Sequence, residues 1–391
     1  MDILNEKKLF QYYRNFENAI SNYRFDMPFS RYLTQFYKEN RQMGSSDRRM
    51  NTRLCYAYFR LGKALPELNR KDRLCVAEFL VEQESDFVKF HYPEWVAHQY
   101  KSIENKLAFL EEINLSVLPD NFPLIDEASD AIEKEKFIVN QFAQPDLFIR
   151  IRRGFEEEVL REFDLHSIAY KKISNQTISL SNGFNLQQFK RLEGKFEVQD
   201  LSSQRTFESF GAKPNESWWD CCAASGGKSL MLLDGIPTVK LLVSDVRLSI
   251  LRNLDERFDK AAIKTPYRKK IIDLTKDASS ILYDEKFDGI ILDAPCSGSG
   301  TWGRTPEMVS KFTRKDISYY TNLQKSIAGN AVKHLATGKP LIYITCSIFK
   351  AENEDIVDYL TNELHLKLEY AKVLKGYEEH ADSMFIARLI K

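Results

Sequence analysis

With 391 residues the chain exceeds the ~250–300 residues at which a single core stops growing, so two or three domains are expected. Its 43% hydrophobic and 29% charged content is that of a globular protein. No uninterrupted apolar stretch approaches the ~18–20 residues of a spanning helix, so no membrane-spanning helix is expected in these residues. Lys plus Arg and Asp plus Glu both number 56, so the formal net charge is zero. That balance counts against a nucleic-acid binder, whose domains are often strongly basic, and any such contact must use local patches. No long apolar region follows the opening M-D-I-L-N-E-K-K, and a cytoplasmic location is expected. The six cysteines do not suggest a disulfide framework, and none of their spacings matches paired C-x-x-C zinc units, so no metal site is expected.

Residues 1 to about 100 read as helices. Phe10, Tyr13, Phe16 and Ile20 repeat at helical spacing, as do Tyr32, Phe36 and Tyr37, and Leu54, Ala57, Tyr58 and Leu61. Cys55 and Cys75 lie in this apolar company and read as buried small hydrophobes. After a break at Gly44, Ser46 or Asp47 suits a helix N-cap, and Arg48, Arg49 and Arg53 cluster at that helix start. They suit either phosphate contact or a solvated helix face. His91, Pro93 and Trp95 interrupt the helical pattern. Residues 101–145 are mostly helical again, with the polar insert L-P-D-N-F-P-L-I-D-E, and read as a linker with outer helices.

Residues 146–151 alternate as a strand, residues 156–163 form an amphipathic helix, and a second helix-like segment and a short strand over 177–180 follow. These describe a small α/β subdomain. Arg150, Arg152 and Arg153 stand at its first strand's end, for phosphates or as guards against aggregation. The polar lead-in F-E-V-Q-D-L-S-S-Q over 196–204 offers turn capping as its plain alternative.

Residues 216–220 read as a strand, and C-C-A-A-S-G-G-K-S continues it as a glycine loop opening a helix, whose backbone N–H groups suit an anionic group. A phosphate-binding P-loop would need glycine at Cys222, and a G-x-G-x-x-G turn is absent. The strand over 239–245 ends at Asp245, 25 residues after Asp220, where a carboxylate accepts ribose hydroxyls in dinucleotide folds. A third strand over 269–274 ends near Asp273, with Asp277 four residues on. F-D-G-I-I-L-D-A-P-C-S-G-S-G-T over 287–301 is a buried strand ending at Asp293; Pro295 then forces the chain out of the sheet, and Cys296 sits among small residues. A further strand over 341–345 leads into Cys346, fifty residues after Cys296.

Four motifs in order, W-D-C-C-A-A-S-G-G-K-S, Ser244-Asp245-Val246, D-A-P-C-S-G-S-G-T and Y-I-T-C-S-I-F-K-A-E-N-E-D, resemble the RsmB/Nop/Sun family of RNA cytosine-5 methyltransferases, which use S-adenosylmethionine. The resemblance covers about 146–391. It implies an α/β fold with a Rossmann-like class I methyltransferase sheet over 206–391. Before it stand a small α/β RNA-binding subdomain over 146–205, a helical linker over 101–145 and an all-α NusB-like RNA-binding domain over 1–100, with H-P-x-W punctuation at the join. The implied cofactor residues are Cys222, Ala223, Ala224, Ser225, Gly226, Gly227, Lys228, Asp245, Arg252, Asp273 and Asp293; an acid beside the adenine is assigned to Asp273 rather than Asp277. Ser225 stands where the family usually has proline. Lys228 is left between contact with Asp293, contact with the methionine carboxylate and an exposed structural role.

Carbon 5 of cytosine is not nucleophilic, so its methylation needs a thiolate to add at carbon 6. By resemblance Cys346 is that nucleophile, Cys296 assists release, and Asp293 hydrogen-bonds the base edge and stabilises developing charge. The expected partner is RNA, ribosomal rather than transfer RNA because of the helical front, and the expected state is a monomer without membrane association. Two rivals are an RNA-binding or ribosome-assembly factor that retains the fold without turnover, and a transfer RNA cytosine-5 methyltransferase. Intact Cys296, Cys346, Asp293 and Asp245 argue against the first. Amino-group methyltransferases resemble [DN]-P-P-Y at this strand tip, which A-P-C-S is not. Three turns depart from the family pattern: A-T-G-K-P, K-A-E-N-E and Asp382-Ser383-Met384-Phe385.

Overall fold

Helices build the front of the chain: α1 (Ile3–Asn22), α2 (Phe29–Glu39), α3 (Ser45–Arg60), α4 (Arg70–Val81), α5 (Asp86–His91), α6 (Ile103–Glu112) and α7 (Lys134–Asn140). The computed structural model describes residues 3–391, with side chains from Glu6 onward. Two compact units emerge, and the helical one runs to Asp126 and adds 133–144 and 302–313. Its α1 buries Leu9, Tyr12, Phe16 and Ala19, three or four residues apart as one helix face requires. The expected periodicity holds with its phase shifted by one residue, since Phe10 is 58% exposed. Phe29 meets Tyr23 and Phe59 edge to face, both with ring centroids 4.9 Å apart, which adds about 0.5–1.5 kcal/mol per pair to burial.

The contacts do not divide where a linker over 101–145 would place the boundary. Leu110, Val117, Phe122, Phe137 and Phe142 are buried in the helical unit, and Trp95 is buried against Tyr92, with stacked rings 4.1 Å apart. Residues 302–313 join the same core: Trp302 lies 5.2 Å from Phe122, and buried Arg60 donates to the carbonyls of Gln141 and Gly303 at 2.5 and 2.8 Å. Scattered aromatics in a polar, proline-containing stretch read as loop, yet each fills a place in this core. Of the three arginines at the start of α3, Arg53 is committed to the fully buried Glu78 at 2.7 Å, a structural ion pair rather than a phosphate contact. Arg48 donates to the Met43 carbonyl, and Arg49 is exposed.

The second unit comprises 127–132, 145–301 and 314–391. It opens with β1 (Leu147–Ile151), α8 (Glu156–Leu165), β2 (Lys171–Lys172), β3 (Thr177–Leu180), β4 (Phe196–Val198) and α9 (Leu201–Arg205), the strands pairing antiparallel in the order β2-β3-β1-β4. Where a second helix-like segment was expected after α8, β2 pairs with β3 instead, because an open strand edge overrides weak helix propensity. Arg150 in β1 and Arg152 just past its end, two apart and so facing the same way, do not meet solvent phosphates. Both are buried and pair with Asp234 at 2.7 and 2.8 Å, and Arg153 alone is exposed.

The larger sheet follows with β5 (Ser217–Asp220), α10 (Gly227–Gly235), β6 (Lys240–Asp245), α11 (Leu248–Lys260), β7 (Tyr267–Ile271), α12 (Ser279–Leu282) and β8 (Gly289–Asp293). After it, α13 (Glu307–Lys311) falls to the helical unit; α14 (Arg314–Lys333), β9 (Pro340–Thr345), α15 (Glu354–Asn362), β10 (Lys367–Leu374) and β11 (Met384–Ile390) complete the sheet. Its order is β10-β11-β9-β8-β5-β6-β7, with β11 antiparallel to both β9 and β10 and the other pairs parallel. The chain winds outward from β5 to β6 and β7, then crosses back to β8, so a crevice opens at the carboxyl ends of β5 and β8. β7 ends at Ile271, opposite the last residue of β6, and Ile272 and Leu274 then leave the sheet to bury against α14. Asp273 therefore lies beyond the strand it was expected to terminate. No helix among the described residues is long and apolar enough to cross a membrane.

Asp234→Ala would leave two buried guanidinium groups uncompensated and should destabilise the protein by about 3–5 kcal/mol in chemical denaturation. A loss below ~1 kcal/mol would mean that Arg150 and Arg152 find other partners.

Candidate active site

The loop after β5 turns sharply into α10. Gly226 makes the turn at φ +82°, and a Cβ there would fall 2.7 Å from Leu254, so only glycine lets α10 pack against α11. Ala224 also holds positive φ (+46°), fixed by donating its N–H to Asp245 Oδ2 at 3.2 Å. Beside this loop lies a cavity of about 280 Å³. Ala223, Ala224, Ser225, Gly227, Lys228 and Asp293 line one side, as the sequence places them; Glu197, Val198, Gln199, Asp200, Ser203 and Arg257 line the other. Cys222 packs partly buried against the core behind the loop. Asp245, at the tip of β6, is nearly buried and accepts from the Arg247 backbone N–H at 2.9 Å and its guanidinium at 3.1 Å.

Of the expected cofactor residues, Cys222, Gly226, Asp245, Arg252 and Asp273 stand outside the lining of this cavity. Arg252 is exposed and does not line the cavity. Leu251, Leu254 and Phe258 set the buried face of α11, and Arg257 stands beside that face. It donates to the Ser225 carbonyl and hydroxyl at 3.1 and 3.2 Å and pairs with Glu197 at 3.2 Å. Asp273 accepts from the Thr275 N–H and hydroxyl, and Asp277 from the Ser279 N–H and Lys333, so both acids serve local turns and neither lines the cavity. Sequence reasoning missed Glu197, Gln199, Asp200, Ser203 and Arg257 as site residues. The signal was the polar run over 196–204. Asp200 does cap α9, accepting the Ser202 N–H at 2.8 Å, and lines the cavity as well.

Asp220 ends β5 fully buried. Burial pushes its carboxyl up to about 7, although the Ser229 hydroxyl donates to Oδ2 at 2.6 Å, and its Oδ1 has no hydrogen-bond partner among the described residues. Lys228 Nζ donates to Asp293 Oδ2 at 2.8 Å. Burial opposes the Lys228 charge, yet the Asp293 pair outweighs it and raises the ammonium above its ordinary value. An orphaned carboxylate oxygen, helix-opening N–H groups and an acid at the neighbouring strand tip form a donor and acceptor set that fits a cationic amino acid joined to a nucleoside, as S-adenosylmethionine is.

The two thiols come from adjacent strands. Parallel pairing sets Asp293 opposite Ile344, and Cys296 and Cys346 follow within three and two residues of those positions. Their sulfurs lie 3.3 Å apart, unbonded and partly buried. Fully buried Glu352 fastens the first loop, accepting the Ser297 N–H at 3.1 Å and its hydroxyl at 2.8 Å. The hydroxyls of Ser297, Ser299 and Ser347 join at 3.1 Å across the two loops, and Gly300 N–H donates to the Cys346 carbonyl at 2.9 Å. A Cβ at Gly300 would meet the Ser383 carbonyl at 2.0 Å, so the loops close only over glycine. Gln324 adds a bond from its amide to the Pro295 carbonyl at 3.1 Å.

Residues 209–390 match the family described as 16S rRNA methyltransferase RsmB/F. Ribosomal RNA small subunit methyltransferase B of Xylella fastidiosa (strain Temecula1 / ATCC 700964) is 35% identical over 210 residues, 51% of this chain and 48% of that protein. The protein of the same name in Shewanella oneidensis is 33% identical over 217 residues, 51% of this chain and 49% of that one. The chain spans about half the length of these curated relatives. The crystal structure of PH0851 superposes with a TM-score of 0.71 at 22% identity, covering 93% of this chain and 95% of that one. NSun6 from Pyrococcus horikoshii with SFG gives 0.58 at 18% identity, over 66% of this chain and 94% of that one. These structural likenesses show a shared fold.

The folded chain keeps a proton on Asp220 that the unfolded chain releases, so stability falls as pH rises from the ordinary 3.8 to about 7. Asp220→Asn removes that slope. Relative to the parent, the variant should gain up to about 1.4 kcal/mol per pH unit across the window, measured by denaturant unfolding at several pH values. Parallel stability curves would show that the carboxyl titrates in its ordinary range.

Proposed function

From the match of residues 209–390 to the RsmB/F methyltransferase family we propose that the chain belongs to that family and transfers a methyl group from S-adenosylmethionine to carbon 5 of a cytosine in RNA through a covalent cysteine adduct. The supporting observation is the pair of thiols 3.3 Å apart at the carboxyl ends of adjacent strands, beside Asp293. Ribosomal RNA is the favoured substrate, because the relatives matched above carry a ribosomal RNA small subunit name. The helical unit is proposed as a NusB-like RNA-binding domain with Arg49 on its exposed face, in a cytoplasmic monomer.

In this reading the Asp245 carboxylate exchanges its Arg247 contact for two ribose hydroxyls. Asp220 and the 222–228 loop hold the amino-acid end of the cofactor, with Arg257 bracing Ser225. Bound S-adenosylmethionine supplies an electrophilic methyl group. The target base leaves its stack, at a cost of a few kcal/mol that is least in a single-stranded loop. Asp293, oriented by Lys228, hydrogen-bonds the base edge. Cys346 thiolate would form the S–C6 bond, and the C5–C6 π pair would move to carbon 5 and bond the methyl carbon as that carbon's bond to the sulfonium breaks, its electron pair leaving with the thioether product. Loss of the carbon 5 proton to a base then returns that pair to the ring and breaks the S–C6 bond, with Cys296 assisting departure.

Unlike outcomes are expected from the two thiol variants on a denaturing gel with labelled RNA and cofactor. Cys346→Ala should bind both yet form neither adduct nor product, whereas Cys296→Ala should accumulate a denaturant-resistant protein–RNA adduct. The reverse pattern would exchange their roles, and robust methylation by the double variant would end the covalent mechanism. Separately, Asp245→Ala should weaken cofactor binding by about 1.5–3 kcal/mol in calorimetric titration; unchanged affinity would remove Asp245 from the site.

A further inference from the structure

Two cysteines whose sulfurs sit 3.3 Å apart cannot both ionise cheaply, so the first proton lost leaves the other shared between them, and the charges around them decide where it rests. The surroundings are asymmetric. Behind Cys296 stands Glu352, fully buried, both of its oxygens accepting the N–H of Ser297, the residue next to Cys296, with the Ser297 hydroxyl on Oε2. Burial raises the Glu352 carboxyl from its ordinary value, and three hydrogen bonds to one residue support its ionised form. On the other side stands Lys228. Burial opposes its charge, but its bond to Asp293 at 2.8 Å and, after that, its nearness to Cys346 raise the ammonium above its ordinary value.

The remaining groups do not cancel this asymmetry. Asp293 is already paired with Lys228 at 2.8 Å, Asp220 lies behind it with its carboxyl pushed up to about 7 by burial, and the phenols Tyr320 and Tyr343 are both raised by burial and stay neutral. Contact with Cys346, burial and the Glu352 charge together push the Cys296 thiol well above its ordinary value. An S–H on Cys296 directed at a sulfur anion on Cys346 is a charge-assisted hydrogen bond in a water-poor site.

We propose that Glu352 and Lys228 divide the labour between the two thiols, Glu352 holding the shared proton on Cys296 and Lys228 holding the negative charge on Cys346. This rests on the reading of Cys346 as the nucleophile and supplies its cause. Once Cys346 is bonded to carbon, the Cys296 proton stands where the departing sulfur can accept its hydrogen bond, which is the assistance to release. Glu352 is thus a positioning residue that acts through Cys296, as Lys228 acts through Cys346.

The test uses the full chain with neither RNA nor cofactor: alkylation by iodoacetamide from acid to alkaline pH, each cysteine peptide quantified by mass spectrometry. At neutral pH Cys346 should react about tenfold faster than Cys296, the ratio that one pH unit between two thiols produces. Lys228→Met should move the midpoint of the Cys346 rate profile to higher pH by about one unit. Glu352→Gln, which keeps the side-chain shape, should move the Cys296 midpoint lower by a similar amount. Faster labelling of Cys296 in the parent protein would overturn the assignment, and so would midpoints unmoved by Lys228→Met. Should Glu352→Gln fail to fold, judged by its unfolding transition, Lys228→Met still decides. A chain that labels as expected yet forms no RNA adduct would sink the cytosine reading and leave the proton assignment standing.

Discussion

Parallel pairing of β8 with β9 is the constraint on which the site depends. Side-by-side parallel strands end at one level, and here Asp293 stands opposite Ile344, with one last rung from the Ala294 N–H to the Ile344 carbonyl at 2.8 Å. Loops leaving two such ends emerge together, so residues fifty apart in sequence bring their sulfurs to 3.3 Å. Strand ends alone would leave the loops free to splay. The Glu352 carboxylate accepts the Ser297 N–H, and the Ser299 and Ser347 hydroxyls accept the N–H groups of Ile348 and Phe349, replacing hydrogen bonds that the departing backbone no longer finds in the sheet.

The crevice beside that pair is walled from two directions, and the second wall is held from a distance. Gln199 lines the cavity and accepts from Arg150 Nε at 2.8 Å, while Arg150 is itself fixed by Asp234 near the end of α10. A buried pair of arginines sharing one aspartate gains little net stability after desolvation, and its value lies in geometry. It ties the small antiparallel sheet to the helix whose other end opens at the glycine loop. Arg257 does the same on the opposite side, spanning Ser225 and Glu197. Ser225 in that turn is thus braced by a side chain from the neighbouring helix.

Charge in the crevice follows from this closeness. Asp220, Lys228 and Asp293 stand in sequence away from the core, and burial falls along that line. The innermost carboxyl is driven toward its neutral form, the middle ammonium is stabilised by its partner, and Asp293 remains about a third exposed. A buried acid without a full set of partners is costly in the free protein. That cost makes the same acid a ready acceptor for a cationic ligand.

By itself the sequence determined the order of strands and acids: short apolar runs bounded by Gly and Pro placed β5, β6, β8 and β9, and the tips of three of them placed Asp220, Asp245 and Asp293, because a strand's period and its end are local properties. The glycine loop, Lys228 and both site cysteines were legible for the same reason. Only the tertiary structure decided what turned on which face meets which neighbour. Arg252 and Arg257 are both basic residues on one amphipathic helix, and nothing local says that the second braces the loop. Arg150, Arg152 and Arg53 read as solvent-facing until buried acids far along the chain claim them. Asp273 looked like a strand end until the last paired residue of β6 ended the sheet at Ile271. Residues 101–126 and 133–144 read as linker and outer helices until their aromatics filled the helical core. Burial and ion pairing join residues tens to hundreds of positions apart, and a pattern read along the chain carries no term for such partners.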